Sequence, residues 1–375
     1  MRIELPAPVA RVLERLWEAG AEAYVVGGCV RDMLLGSAPH DWDVCTSATP
    51  DAVARCFADC RLIEAGRKHG TITVGLSGQF IEVTTYRVDG TYSDHRRPDV
   101  VRFTPSLTED LARRDFTINA MAYAPGEGVI DPFGGQKDLQ LGVIRCVGAP
   151  ALRFDEDALR ILRALRFAAR LGFEIHSDTA DAMIVQRELL RHIAAERVLS
   201  ELSGMDFARV DVQFLPVLQV SIPELMRLPE CPVPPLPALR LAALLKGLPA
   251  REILSRLKAS AALTERVGLL AERLDAPVPA DEVAVRRLLR DIGQEAAEQL
   301  LILQENPPAQ AVLRRVLDRG DCYALPMLAI TGRDAIERGL RGRAVGEALS
   351  RLLDRVIAGE LPNEREALLA AISCA

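Results

Sequence analysis

Residues 24–46, YVVGGCVRDMLLGSAPHDWDVCT, decide the fold class. The apolar run 24–28 (YVVGG) reads as a short strand ending in glycine, and residues 30–35 continue as a helix. Residues 41–46 (DWDVCT) read as a second strand. In a strand, positions i and i+2 share a face, so Asp41 and Asp43 present two carboxylates side by side. Like charges so close are costly unless a cation lies between them, and hard oxygen donors suit Mg²⁺. Two such ions can activate an attacking hydroxyl and stabilise a leaving pyrophosphate. Taken alone, D-x-D is a weak pattern, because surface turns and helix caps explain most occurrences. Gly27-Gly28 strengthens it. Glycines let backbone N–H groups approach a phosphate chain, and the start of a helix favours anions, with Arg31 one turn in. G-x-G-x-x-G is absent, which excludes the dinucleotide-binding turn.

Outward from this stretch the N-terminal part reads as mixed α/β. Thr49-Pro50-Asp51 supplies an N-cap followed by proline at the first helical position. Residues 71–76 and 80–88 flank Ser77-Gly78-Gln79 as a hairpin, and Glu82 on that hairpin is a candidate third carboxylate. Ser106 and Glu109 form a capping box, opening a helix that runs towards Tyr123 and carries Arg113 and Arg114. Arg114 is a candidate contact to the ribose or phosphates of a nucleotide; an exposed charged face is the plainer alternative. Residues 129–133 and 143–147 are further strand candidates. Beyond Pro150 nearly everything reads as helix, rich in Leu, Ala and Arg, and past Phe214 the only aromatic residue is Tyr323. The proline-rich run 229–237 (PECPVPPLP) and Asn306-Pro307-Pro308 join helical sections. The fold class is α+β: an N-terminal mixed sheet domain followed by an elongated all-α region.

The chain has 375 residues, too many for one hydrophobic core. With 49% apolar and 26% charged residues it has the composition of a globular protein. No apolar run reaches the roughly 18–20 residues of a membrane span, and acidic residues interrupt the N-terminus where a signal peptide would be apolar. Eight cysteines without a C-x-x-C pair point to reduced thiols in a cytoplasm. The net charge of −6 is no bar to gripping nucleic acid, since local basic patches set phosphate contacts.

The segment 157–170, DALRILRALRFAAR, repeats Asp157, Arg160, Arg163 and Arg166 every three residues, with Leu159, Leu162 and Leu165 on another side. One reading is a solvated stripe with an Asp157–Arg160 ion pair, worth a few tenths of a kcal/mol. The other is chemical. An aspartate only accepts hydrogen bonds and an arginine only donates them. The Watson–Crick edges of cytosine and adenine both show an amino donor beside a ring-nitrogen acceptor. Asp157 with Arg160 fits both and mismatches uracil and guanine. Arg163 and Arg166 are then free to neutralise a triphosphate.

Together, VVGGCVRDMLLG with HDWDV, DGTYSDHRRPDVVRF, RRDFTINAMAY, DPFGGQKDL and RFDEDALRILRALRFAARLGF resemble the bacterial-type (class II) tRNA nucleotidyltransferases. These are the CCA-adding enzymes of the nucleotidyltransferase superfamily, which also holds poly(A) polymerases. ITGRDAIERGL and VIAGELPNEREALL resemble the family's C-terminal part. The resemblance implies a catalytic head (1–148), a neck with a nucleotide-selecting helix (149–205), a body (206–270) and a tRNA-binding tail (271–375). It implies that Asp41 and Asp43 bind Mg²⁺ and that Gly28 and Arg31 hold nucleotide phosphates. Arg114 would touch the nucleotide, and Asp157, Arg160, Arg163 and Arg166 would select the base and bind phosphate. The substrates would be the tRNA 3′ end, CTP and ATP. Where many relatives carry a histidine–aspartate pair, this chain has Lys246 and Gly247, so no phosphohydrolase site is expected. CC-only addition is disfavoured by the loop at 89–103 (DGTYSDHRRPDVVRF). A-only addition and poly(A) synthesis remain open alternatives.

Overall fold

The computed structural model describes residues 4–90 and 101–372, so residues 91–100 of the loop singled out above lie outside the described residues. The chain forms two compact units, Met1–Pro232 and Val233–Ala375, and the boundary falls inside the proline-rich run.

The first unit is built on a seven-stranded mixed sheet. Helix α1 (Ala7–Glu18) lays down a stripe of Val9, Val12, Leu13 and Leu16, all fully buried, at the spacing of one helix face. Strand β1 (Ala23–Val26) follows, buried along its whole length. Then come α2 (Gly28–Leu34), β2 (Asp43–Thr46), α3 (Pro50–Cys56), β3 (Arg61–Ile63), β4 (Thr71–Leu76) and β5 (Gln79–Thr85). The β4–β5 turn places Ser77 and Gly78 both at positive φ, the two-residue geometry that matches strand twist. A separate ribbon pairs β6 (Arg87–Asp89) with β7 (Val101–Phe103). After α4 (Leu107–Ala112), strands β8 (Ala122–Ala124) and β9 (Gly128–Ile130) complete the sheet, whose order is β3-β4-β5-β2-β1-β8-β9. Within this sheet, among the described residues, β2 and β5 are the one parallel pair. The unit continues through α5 (Gly135–Leu141), β10 (Val143–Ile144), α6 (Pro150–Glu156), α7 (Leu159–Leu171), β11 (Glu174–Ile175), α8 (Ser177–Gln186) and α9 (Ala195–Ser203).

In the described residues, the second unit has helices and no strand, from Pro237–Leu244 to Arg365–Ile372. One of its cores is aliphatic, with Leu352, Leu353, Val356 and Ile357 packed against Leu368 and Ile372. The α+β class read from the sequence is the observed one.

Three local expectations are corrected. The second strand begins at Asp43, so Asp41 lies in the bend before it rather than on the strand. The helix opened by Ser106 stops at Ala112 rather than running towards Tyr123. Past it, Thr117 and Val147 donate their backbone N–H groups across to Arg145 and Asp115 carbonyls, which holds Phe116 extended. Ser106 does cap the Glu109 N–H at 3.3 Å, but Glu109 turns to the Thr104 hydroxyl, so the box is half formed. The helical stretch read onward from Pro150, through the stripe at 157–170, is two helices, α6 and α7, broken at Asp157. There the aspartate accepts the Leu159 N–H at 3.1 Å, which favours a cap over a helix interior.

Gly135 opens α5, and a Cβ there would overlap the Thr117 carbonyl oxygen and meet the Met121 side chain at 2.9 Å. Since a backbone carbonyl cannot swing aside, Gly135→Ala is expected to destabilise the first unit by about 1–3 kcal/mol. Both tryptophans, Trp17 and Trp42, belong to that unit, so the urea midpoint read by tryptophan fluorescence should fall. An unchanged midpoint would refute the close approach.

Candidate active site

Asp43 starts β2 on the face shared by Cys45, where Tyr24, Val26 and Leu111 also pack. Across the parallel ladder its Cα partner is Glu82 on β5. Burial pushes the Asp43 carboxyl above the usual carboxylate range; Arg114 opposes this, and Glu82 and Asp41 add to it. Asp41, in the bend, thus feels Asp43 although strand alternation does not hold it there. A half-buried acid facing two more is stabilised by a cation, and its donors are hard oxygens. The residues present therefore fit a divalent metal. Among the described residues no three His, Cys, Asp or Glu side chains form a complete ligand set. A partial set of carboxylates suits an ion that keeps water and substrate phosphate oxygens as its other ligands.

The glycine turn sits beside this acid. Gly27 has φ 85° and ψ −132° as the residue before α2, a region closed to side chains. A Cβ on it would meet Arg114 Nη1 at 3.0 Å. Arg114 lies just beyond α4, held by Asp110 at 3.3 Å, and its buried Nε–H has no partner among the described residues. An unmet donor of this sort is not favoured by packing alone. Gly28 is the first residue of α2, and Arg31 lies one turn on, only 4% exposed. Its guanidinium donates to Asp32 Oδ1 at 2.7 and 2.8 Å and to Asn119 Oδ1 at 2.7 Å.

The stripe from Asp157 to Arg166 is anchored residue by residue from outside itself. Asp157 accepts from Arg197 at 2.9 Å. Arg160 donates to Glu156 at 2.6 Å and to the Arg113 carbonyl at 2.9 Å. The Asp157–Arg160 ion pair of the plainer reading is replaced by these separate partners. Arg163 grips Asp115 Oδ2 at 2.6 and 2.8 Å, and Arg166 reaches Glu201 at 2.5 Å. Burial alone would raise the Asp115 carboxyl, but Arg163, Asn119 and Arg160 outweigh it and hold it at about 2. Asn119 also donates to Asp115 at 3.1 Å, so Arg31 and Arg163 are joined through one amide and one carboxylate.

The structure thus brings Arg31 together with Arg163 and Arg166, and Arg114 within the field of Asp43. Asp157 and Arg160 lie at the start of α7, at the other end of the arginine stripe. Sequence reading missed Phe167, whose ring carries the guanidiniums of Arg31, Arg163 and Arg166 at 5.0, 5.3 and 4.4 Å. Part of that signal was visible: Arg163 and Phe167 are four apart on one helix face. The roles of Arg197 and Glu201 had no sequence signal, since their partners come from distant segments, and neither had the Arg31 contact of Asn119.

Residues 23–145 match the Poly A polymerase head domain. Residues 172–205 match the probable RNA and SrmB-binding site of polymerase A, and 238–372 the putative tRNA nucleotidyltransferase domain 2. The CCA-adding enzyme of Lacticaseibacillus paracasei is 38% identical, over 98% of this chain and 97% of that protein. That of Geobacillus kaustophilus is 36% identical, over 96% of this chain and 94% of that protein. The crystal structure of the Bacillus stearothermophilus CCA-adding enzyme in complex with CTP superposes with a TM-score of 0.81, 31% identity and 98% coverage of both chains. The Thermotoga maritima CCA-adding enzyme complexed with tRNA shares the fold, with a TM-score of 0.67 at 22% identity over 98% of this chain and 94% of that one. With identity above a third sustained along nearly the whole of both chains, this chain belongs to the family of CCA-adding enzymes.

Proposed function

We propose that the chain adds C, C and A from CTP and ATP to the 3′ end of tRNA without a nucleic-acid template, releasing pyrophosphate. The observation that carries this is the meeting of Asp43, Glu82 and Arg114 beside the Gly27 turn, with the Arg31, Arg163 and Arg166 cluster in the same unit. An acidic corner for a metal and a basic corner for a triphosphate are what phosphoryl-type transfer to a hydroxyl needs. The full-length likeness to proteins named CCA-adding enzyme supports the choice of substrates.

Asp41 and Asp43 would hold Mg²⁺, which when bound helps deprotonate an attacking hydroxyl and neutralises a leaving pyrophosphate. Glu82 supports the acidic corner from the neighbouring strand. Gly28, Arg31, Arg163 and Arg166 bind the triphosphate, and Arg114 contacts the nucleotide near the metal carboxylates. They hold its α-phosphate for in-line attack by the tRNA 3′ hydroxyl, so that positioning does much of the work. Asp157 and Arg160 read the base. Asp157 accepts from Arg197 and the Leu159 N–H and still has lone pairs. Arg160 donates to Arg153, Glu156 and Arg113 and still has N–H groups of its five, and these remaining sites would meet a base edge. An amino group beside a ring nitrogen pairs with them; a carbonyl beside an N–H does not.

The four-part division into head, neck, body and tail at 1–148, 149–205, 206–270 and 271–375 goes with this reading, the tail gripping tRNA by shape and backbone. No described helix is long and apolar enough to cross a membrane. The described cysteines are free thiols, in keeping with a cytoplasmic setting.

The central test uses tRNAs ending before the tail, after one C and after CC, each offered labelled CTP or ATP. CTP should enter the first two and ATP the third. Incorporation of CTP alone, or of ATP alone onto the CC end, would overturn full CCA addition. Asp41→Ala with Asp43→Ala should abolish transfer while tRNA binding, read by gel shift, persists; surviving turnover would refute the metal assignment. Asp157→Ala should reduce discrimination against UTP and GTP by at least about tenfold, and unchanged selectivity would count against the base-reading role.

A further inference from the structure

We propose that Phe167 is a positioning residue of the triphosphate subsite, its ring gathering Arg31, Arg163 and Arg166 into one polyphosphate-binding cluster. This rests on the reading of those arginines as triphosphate ligands.

Arg163, Arg166 and Phe167 lie on α7, whereas Arg31 comes from α2, far away in sequence. All three guanidinium carbons stand between 4.4 and 5.3 Å from the centroid of the same ring. Cation–π contacts of this kind occur about once per 70–80 residues. Among the described residues there are five, and three of them fall on Phe167. Ordinary core packing does not account for such convergence. A leucine would fill similar space, but it would offer no negative face to three cations that repel one another.

The ring is itself held. It is 5% exposed and meets Phe116 edge to face, with centroids 5.9 Å apart and planes at 82°. A desolvated ring attracts cations more strongly than one in water. The neighbouring carboxylates do not use up the cluster. Among the described contacts Arg166 donates only its Nε–H, to Glu201. Arg163 donates Nε–H and one Nη2–H, to Asp115. A guanidinium has five N–H donors, so each of these arginines keeps some for phosphate oxygens. The ring fixes where those donors are, and touches no phosphate itself.

The test separates ring electronics from ring shape. Phe167 is replaced in the full chain by mono-, di- and trifluorophenylalanine, which weaken the negative face of the ring while leaving its outline nearly unchanged. Binding of inorganic tripolyphosphate is measured by calorimetry without tRNA. The dissociation constant should rise with each fluorine, to about tenfold over the series, and Phe167→Tyr should bind like the unmodified chain. A flat series would overturn the proposal, because a purely structural phenylalanine tolerates fluorine. Failure of the unmodified chain to bind tripolyphosphate would overturn it too. Transfer of CTP and ATP to tRNA by the unmodified chain tests the broader reading independently. A flat series with transfer intact therefore sinks the role of Phe167 alone.

Discussion

Two separated pieces of chain meet on the buried carboxylate of Asp115, and a third is joined to it through Asn119. It accepts the Phe116 N–H at 2.8 Å, the Asn119 amide at 3.1 Å and both Arg163 donors. Through Asn119 the same network reaches Arg31 on α2. A charge taken out of water is tolerated only when its partners are in place, and removing one partner of such a pair costs about 3–5 kcal/mol. The glycine turn, the irregular chain after α4 and the arginine helix α7 therefore share one anchor.

The site built on that anchor sets like charges against one another at two corners. At the acidic corner, burial and the neighbouring carboxylates raise the Asp43 carboxyl, with Arg114 opposing. At the basic corner, three guanidiniums crowd one aromatic ring, each beside a carboxylate. At the basic corner each guanidinium is already paired, yet Arg163 and Arg166 keep N–H donors beyond those their carboxylates use. On the proposed reading a metal–triphosphate complex would meet both corners at once, and electrostatic preorganisation would carry much of the chemistry.

Much of this was legible in the sequence, and the limits have physical causes. The strand–glycine–helix–strand start and the Ser77-Gly78 turn rest on local backbone preferences, which sequence displays directly. The proline-rich run reads locally only as a join between helical sections, and that it separates two compact units depends on contacts within each unit. The arginines of the stripe were legible through their three-residue spacing. The break at Asp157 was hidden by the same regularity: an acid on a helical stripe and an acid capping the next helix have the same spacing, and only the Leu159 N–H decides between them. The extent of α4 was overread because the pull on residues 115–117 comes from Arg145 and Val147, a long-range pairing with no local trace. Phe167 was read past because an aromatic on a helix is usually core, and its third cation arrives from a distant helix.

The carboxylates beside the arginines have one more consequence. Asp32, Asp115 and Glu201 hold the guanidiniums of Arg31, Arg163 and Arg166 in the resting molecule. A polyanion entering the cluster thus joins or displaces partners already in place, rather than ordering loose side chains. Binding gives up some affinity in this exchange but loses little side-chain entropy. When a cleaved fragment departs, the carboxylates are still there to take the arginines back. If the cluster holds the triphosphate as proposed, a pocket that must release pyrophosphate before each new nucleotide would have a lining that resets itself.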